Sequence, residues 1–194
     1  MGNSPDTSLI HILDNDSLLN VFDFYQHLYD SNDEGAIILG EQDCVRDCYR
    51  HHWWYQLTHV CQRWQNLILG LSSYLDLSLV CTYGTPVADM LAHSPPLPLV
   101  INFFDDDRII TAEDEEAMIL ALKQRDRVCR IHVQVPDMQG FARAMEEEYP
   151  ILECLIMGPT EEDEDSIPLT FPTTFQAPRL CHLVLISFSL PIES

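Results

Sequence analysis

The chain has 194 residues, a hydrophobic fraction of 46% and a formal net charge of −21 at pH 7. This length suits one or two small domains, and the apolar fraction is sufficient for a buried core. Because 31 acidic residues stand against 10 lysines and arginines, the charge repels phosphate backbones and anionic membrane surfaces, so we expect neither nucleic acid nor a membrane as partner.

The cysteines and the start of the chain bear on its compartment. Seven cysteines is an odd number, and they are scattered singly, which favours free thiols in a reducing environment over a disulfide framework. No apolar stretch approaches the length of a transmembrane helix, and the first residues lack the basic and apolar segments of a signal peptide. We therefore predict an intracellular protein, either cytoplasmic or nuclear.

Two helical segments are predicted in the first 70 residues. Apolar residues return at helical spacing over Leu9–Tyr29, and the polar residues at 15–17 are candidate N-caps. A second, tryptophan-rich segment has the same periodicity from about residue 43 to residue 69. Gly70 follows it, at a position typical of a helix end. The first part of the chain is therefore predicted to be helical.

In the second part of the chain the apolar spacing changes to a period of two. Alternation over Leu75–Leu79 predicts a half-buried strand, and Leu97–Phe103 predicts another. Between them, Pro86 suggests the first turn of a short helix. Further helices are predicted at about Glu113–Gln124 and Met138–Tyr149. This alternation of strands and helices indicates an α/β arrangement.

Three later segments share one apolar pattern. They begin at Val128, Leu152 and Leu180, 24 and then 28 residues apart, and each has apolar residues at relative positions 1, 4 and 6. Such a unit cannot bury its own apolar face, so the pattern indicates stacked strand–helix repeats with a parallel sheet, similar to a leucine-rich-repeat solenoid. The last strand lies close to Ser194 without a polar covering element, which predicts a truncated array or pairing at this end.

Several segments resemble the F-box family. Leu13–Phe22 is similar to the family's opening, Leu-Pro-x-Glu-hydrophobic-Leu-x-x-Ile-Phe, and Val60–Trp64 is similar to its closing Val-Cys-x-x-Trp. Leu75–Leu77, Cys81–Pro86 and Ala177–Leu180 resemble the large set of fungal F-box-like proteins with degenerate leucine-rich repeats. The resemblance therefore covers most of the chain.

The resemblance implies a mixed α/β protein of two parts. An all-α, three-helix F-box-like module would occupy about residues 8–70, with an insertion relative to the family at about residues 30–48. A short leucine-rich-repeat-like β/α array would occupy residues 71–194. The family's proline after the first leucine is Asp14 in this chain, and its acidic position is Asp16.

The resemblance also implies a function as the substrate-recruiting adaptor of an SCF-type ubiquitin ligase. The helical module would dock on a Skp-type subunit of the cullin ligase complex, and the repeats would hold an unknown target protein. The acidic surface favours a basic target. Residues implied to form or support the adaptor-binding surface, some as internal core, are Leu13, Leu18, Leu19, Phe22 and Trp64. The alternative is a repeat-type interaction module without a role in ubiquitination.

Neither an enzyme nor a cofactor is expected. The chain has no glycine-rich phosphate loop, no G-x-S-x-G and no H-E-x-x-H motif. The acidic runs at 105–107 and 161–165 are interpreted as solvated loops. A metal-dependent enzyme is a further alternative, although zinc rarely takes four ligands from a single helix. Its candidate ligands are Cys44, Cys48, His51 and His52.

Overall fold

A computed structural model describes residues 13–31, 53–104, 108, 110–134, 138–159, 169–170, 172–186 and 188–189. The helices are α1 (Asn15–Ser31), α2 (Trp53–Thr58), α3 (Gln62–Gly70), α4 (Val87–His93), α5 (Ala112–Leu122) and α6 (Met138–Ala144). The strands are β1 (Leu79–Cys81), β2 (Leu99–Phe103), β3 (Val128–Gln134), β4 (Cys154–Gly158), β5 (Leu169–Thr170), β6 (His182–Leu185) and β7 (Phe188–Ser189). None of these helices combines the length and the apolar composition needed to cross a membrane.

The predicted mixed α/β class with a parallel sheet is confirmed. Strands β1, β2, β3, β4 and β6 lie side by side in that order in a five-stranded parallel sheet, and β5 pairs with β7 separately. Helices α4, α5 and α6 each connect one strand of the large sheet to its neighbour. Parallel neighbours need such crossovers, because a tight turn can join only antiparallel strands.

The predicted alignment of the last three strands of this sheet is also confirmed. Arg130 of β3 lies opposite Cys154 of β4, and Cys154 lies opposite His182 of β6. These pairs reproduce the offsets of 24 and 28 residues. Strands β4 and β6 begin two residues later than their apolar patterns do.

One side of the sheet carries a row of apolar side chains across adjacent strands. Cys81, Ile101, Ile131 and Leu155 occupy matching register positions and are all fully buried against the core that the helices share. The next position in the row is Leu183 on β6, which is 45% exposed. Within the described part of the chain, complete burial of this row therefore ends at β4.

The N-terminal helices belong to the same core as the sheet. Leu18 of α1 and Ile68 of α3 are fully buried in one apolar cluster that continues to the strands. A hydrogen bond reinforces the junction, because the Trp54 indole Nε1 of α2 donates to the Ser78 carbonyl oxygen, 3.3 Å away, just before β1. The helical part and the sheet therefore pack directly on one another.

The single helix predicted over residues 43–69 is wrong in its described portion; residues 43–52 lie outside the described residues. Helix α2 ends at Thr58 and α3 begins at Gln62, and Cys61 between them has extended backbone angles (φ −164°, ψ 163°). The Thr58 hydroxyl donates to the Tyr55 carbonyl at 2.7 Å. Such local hydrogen bonds compete with continued helix and favour its termination. Helix α3 ends at Gly70, one residue after the predicted end.

The strand predicted over Leu75–Leu79 is also wrong for most of its length, because β1 begins only at Leu79. Asp76 has φ +47°, a left-handed conformation that aspartate tolerates better than most residues. The Leu77 amide donates to the Ser72 carbonyl at 3.0 Å, which closes a turn. Leu75 and Leu77 are nevertheless buried, so the alternation predicted burial correctly but not backbone conformation.

The other helices differ from their predictions mainly in length. Helices α4 and α5 are confirmed, whereas α6 ends at Ala144 instead of near Tyr149. The Tyr149 amide donates to the Gln176 carbonyl at 2.8 Å, and the Tyr149 hydroxyl donates to the Ala144 carbonyl at 3.3 Å. Burial raises the pKa of the Tyr149 phenol to about 12. These contacts replace the last predicted helical turn.

Asp114 fixes the start of α5 to the loop after β1. Its carboxylate accepts hydrogen bonds from the Thr111 amide (3.1 Å), the Thr111 hydroxyl (2.7 Å) and the Gly84 amide (3.1 Å). The Asp114 amide donates back to the Thr111 hydroxyl oxygen, which completes a capping box. Burial alone would raise the pKa of Asp114, but these bonds and nearby Arg108 hold it below the ordinary 3.8.

We expect Asp114→Asn to lower the free energy of unfolding at neutral pH by about 1 kcal/mol, because charge-assisted hydrogen bonds are stronger than neutral ones. The folded-state pKa is depressed, so this stabilisation is present above the unfolded-state pKa and is lost as the pH falls through the folded-state pKa. Urea unfolding at neutral and acidic pH should show the difference from wild type shrinking in acid. Asp126→Asn removes an exposed acid, and an equal loss in that control would contradict the role of Asp114.

Candidate functional site

The residues implied in adaptor binding divide into buried and exposed positions. Leu18 and Phe22 are fully buried, Trp64 is nearly so, and Leu19 is half-buried against the core. Leu13 is the most exposed of the five, with 38% of its surface accessible to solvent. Leu18, Phe22 and Trp64 can therefore support a docking surface only from inside. Their role in adaptor binding stays a prediction.

An aromatic pair brings together the two segments that carry the F-box resemblance. The rings of Phe22 on α1 and Trp64 on α3 pack edge to face, with centroids 5.1 Å apart and an interplanar angle of 73°. Beside them, the Arg63 Nη2 donates to the Leu13 carbonyl at 2.6 Å and to Asn15 Oδ1 at 2.9 Å. The closing segment of the pattern thus fixes the helix start contained in the opening segment.

Asp14 caps α1, in place of the residues predicted at positions 15–17. Its Oδ1 accepts a hydrogen bond from the Ser17 amide at 2.7 Å. Hydrogen bonds from Ser17, with a smaller contribution from the charge of Arg63, hold the pKa of the Asp14 carboxyl below its ordinary range. The F-box pattern that this segment resembles has a proline here, which suits a helix start through its fixed φ. Aspartate promotes a helix start by a different means, since its side chain accepts from an exposed amide.

The exposed side of α1 includes two residues that the sequence reasoning did not select. Val21 is 40% exposed and Phe24 is 64% exposed, and they lie one helical turn apart. We call these two residues the α1 apolar surface. The signal was available, because Leu18 and Phe22 define a buried stripe that excludes Phe24 at helical spacing.

The α1 apolar surface has the chemistry of a protein-docking site. When a partner covers large apolar side chains on the outside of a helix, the free energy of binding becomes more favourable by roughly 25 cal/mol for each Å² removed from water. Clusters of such residues on soluble proteins often mark interaction surfaces. Val21 and Phe24 are therefore candidate contacts for a partner of this helical unit, as are the exposed Tyr55 and Val60.

A thiol and an imidazole meet inside the sheet, which the sequence reasoning did not predict. The His132 Nε2 of β3 lies 3.2 Å from the Cys154 Sγ of β4, and both side chains are buried. The alignment of these strands could have revealed the pair, since His132 and Cys154 are diagonal neighbours in its register. Because both groups are closed to solvent, this pair joins the strands and presents no nucleophile at the surface.

The described part of the chain contains no candidate metal-binding site. Among those residues, no group of three or more His, Cys, Asp or Glu side chains is arranged to hold an ion. The acidic runs at 105–107 and 161–165 lie outside the described residues. The same applies to the candidate zinc ligands Cys44, Cys48, His51 and His52.

Comparison with known proteins assigns the chain to no family. No protein-family model, no curated protein and no solved structure matches the chain.

Alanine substitution of two phenylalanines on α1 tests which of them belongs to the core and which to the surface. We expect Phe22→Ala to lower the free energy of unfolding by about 3 to 5 kcal/mol, because it leaves a cavity beside Trp64. Phe24→Ala should change it by less than about 0.5 kcal/mol, because the side chain is mostly in water. Urea denaturation followed by tryptophan fluorescence measures both. Similar losses for the two variants would contradict this assignment.

Proposed function

We propose that this protein is a substrate-recruiting adaptor of an SCF-type ubiquitin ligase. Its N-terminal helices dock on a Skp-type subunit, and its sheet-containing part holds a target protein. The observation that carries the proposal is the packing of Phe22 against Trp64. It joins the opening and closing segments of the F-box-like pattern in one helical unit, with the α1 apolar surface on its outside.

On this proposal, helices α1, α2 and α3 belong to an F-box-like module. The contacts of α2 with both α1 and α3 support this interpretation. The chain after residue 70 is then a short leucine-rich-repeat-like array. Its support is the order of the large sheet, in which β1 to β4 follow the chain and each crossover contains a helix. Stacked units of this kind present an extended surface to a partner.

The chemistry of such an adaptor is proximity alone. It binds the ligase through one part and the target through another, which raises the effective concentration of target lysines near the charged ubiquitin-conjugating enzyme. No catalytic group is required of this chain. The net charge of −21 favours targets with basic surfaces and speeds their association.

Substitutions on the α1 apolar surface test the docking step. We expect Val21→Asp and Phe24→Asp each to weaken binding of a purified Skp-type adaptor by about tenfold or more, because a buried carboxylate at the interface is costly. Tyr74→Asp is the matched control, because Tyr74 is a 67% exposed aromatic residue outside the helices. Isothermal titration measures affinity, and circular dichroism verifies that each variant is folded.

The fully buried Leu18 and Phe22 are unsuitable for this test, since a charge there would disrupt folding instead of docking. Two results would refute the docking step. One is that folded wild-type protein fails to bind the Skp-type adaptor. The other is that Tyr74→Asp weakens binding as much as Phe24→Asp does.

The lysine content allows an independent test in a reconstituted ligase. The chain has a single lysine, Lys123, which is exposed just after α5. We expect ubiquitin on this chain only at Lys123 and at the N-terminal amine, so Lys123→Arg should remove the internal attachment site. Mass spectrometry of the reaction products maps the sites. Extensive attachment elsewhere on the chain would contradict the prediction.

A further inference from the structure

A surface groove of about 880 Å³ lies between α4 and α5. One wall is a stripe of α5 that contains Glu113, Glu116, Ala117 and Leu120, which recur at helical spacing. The other wall is residues 84–89, which form the loop after β1 and the first turn of α4. We call this feature the α4–α5 groove.

The lower part of the groove is apolar and its walls are fixed. Val87 is buried, and Ile119 and Leu120 are half-buried and packed against the core. The hydrogen bond from the Gly84 amide to Asp114, at 3.1 Å, ties the two walls together. A partner that enters the groove therefore meets a preformed apolar surface and pays little ordering entropy on the side of this protein.

The upper part of the groove is acidic. The side chains of Asp89, Glu113 and Glu116 line it and are exposed. Lys123 is the one basic residue among the described residues that line the groove. The charge of the whole chain adds to this local field and attracts cations to it. The apolar lower part and the acidic upper part together favour a ligand that carries both apolar and basic side chains.

We propose that the α4–α5 groove binds a basic, amphipathic segment of the target protein. Leucine-like side chains of that segment contact Ile119 and Leu120, while its arginine or lysine side chains pair with Glu113 and Glu116. The identity of the segment as part of a target rests on the proposed function; the binding chemistry rests on the groove alone. Helix α5 has 11 residues, a length of roughly 16 Å, so about three turns of a bound helix fit along it.

Charge argues against other occupants of the groove. A second copy of this chain would bring another net charge of −21 to an acidic surface, and like charges oppose that association. Nucleic acids and phosphorylated peptides are repelled for the same reason. A basic segment is the partner whose charge complements the surface, and its apolar side chains fill the lower part.

A synthetic peptide tests the groove directly. The probe is a fluorescein-labelled peptide of arginine and leucine at amphipathic helical spacing, and a version with glutamate in place of arginine serves as the negative probe. In fluorescence anisotropy, the double variant Glu113→Gln with Glu116→Gln should bind the basic peptide about five- to tenfold more weakly, as expected for the loss of two exposed ion pairs. Its affinity should also depend less on salt.

The matched control is the double variant Glu146→Gln with Glu153→Gln. It removes the same charge from exposed acids that do not line the groove, and its affinity should change by less than about twofold because the distant charges are screened. Equal losses in both double variants would overturn the proposal, since they would indicate general charge attraction. Absence of binding to folded wild type, or equal binding of the glutamate peptide, would overturn it as well.

The two proposals fail separately. If the Skp-type adaptor binds and the peptide does not, the groove is refuted while the docking function stands. If the peptide binds as predicted and the adaptor does not, the ligase role is refuted while the groove remains a binding site for basic segments. Circular dichroism of each variant confirms that the fold is intact in every comparison.

Discussion

The row of buried side chains that crosses the sheet is the constraint on which the rest of the fold depends. Cys81, Ile101, Ile131 and Leu155 occupy matching positions on four parallel strands and have no exposed surface. A parallel sheet buries such a side only when each crossover returns a helix over it, which α4, α5 and α6 provide. The N-terminal helices extend the same core. The indole N–H of Trp54 needs an acceptor once it is buried, and the carbonyl before β1 supplies it.

The break between α2 and α3 determines how the helical part packs. A straight helix would place Trp64 roughly 15 Å beyond Trp54 along one axis. The extended backbone at Cys61 instead starts a new helix, and Trp64 meets Phe22 of α1. The same break leaves Val60 46% exposed, although its spacing suggested a core position. The Val-Cys-x-x-Trp segment therefore spans a turn and a helix start, and Arg63 within it fixes the beginning of α1.

The sequence predicted those features that depend on apolar periodicity and missed those that depend on individual dihedral angles or distant contacts. The offsets between β3, β4 and β6 were predictable because matched apolar positions must share one side of the sheet. The alternation over Leu75–Leu79 was misleading, because periodicity reports burial and cannot reveal the positive φ of Asp76. The early end of α6 depends on Gln176, a partner 27 residues beyond Tyr149 that no local pattern reveals.

The candidate site was also predictable only in part: the sequence indicated its buried residues but not its exposed ones. The resemblance selected Leu18, Phe22 and Trp64, which are among the buried residues that pack the helices together. It did not select Phe24, since a motif read as letters does not distinguish inward from outward positions. The helical angle between neighbours does distinguish them for Phe24, which lies across the helix from Leu18 and Phe22, whereas the exposure of Val21 is seen only in the structure.

The two proposed binding surfaces differ in chemistry but share one rigid support. The α1 apolar surface gains affinity from burial, which moderate salt affects little, whereas the acidic α4–α5 groove gains affinity from charge, which salt screens. Both belong to elements packed on a single continuous core. Two partners bound at these surfaces would therefore be held at a fixed separation, and a fixed separation gives a higher effective concentration than a long flexible linker does. An adaptor that acts only through proximity gains most from such a support, because the placement of its target is then set by the fold itself.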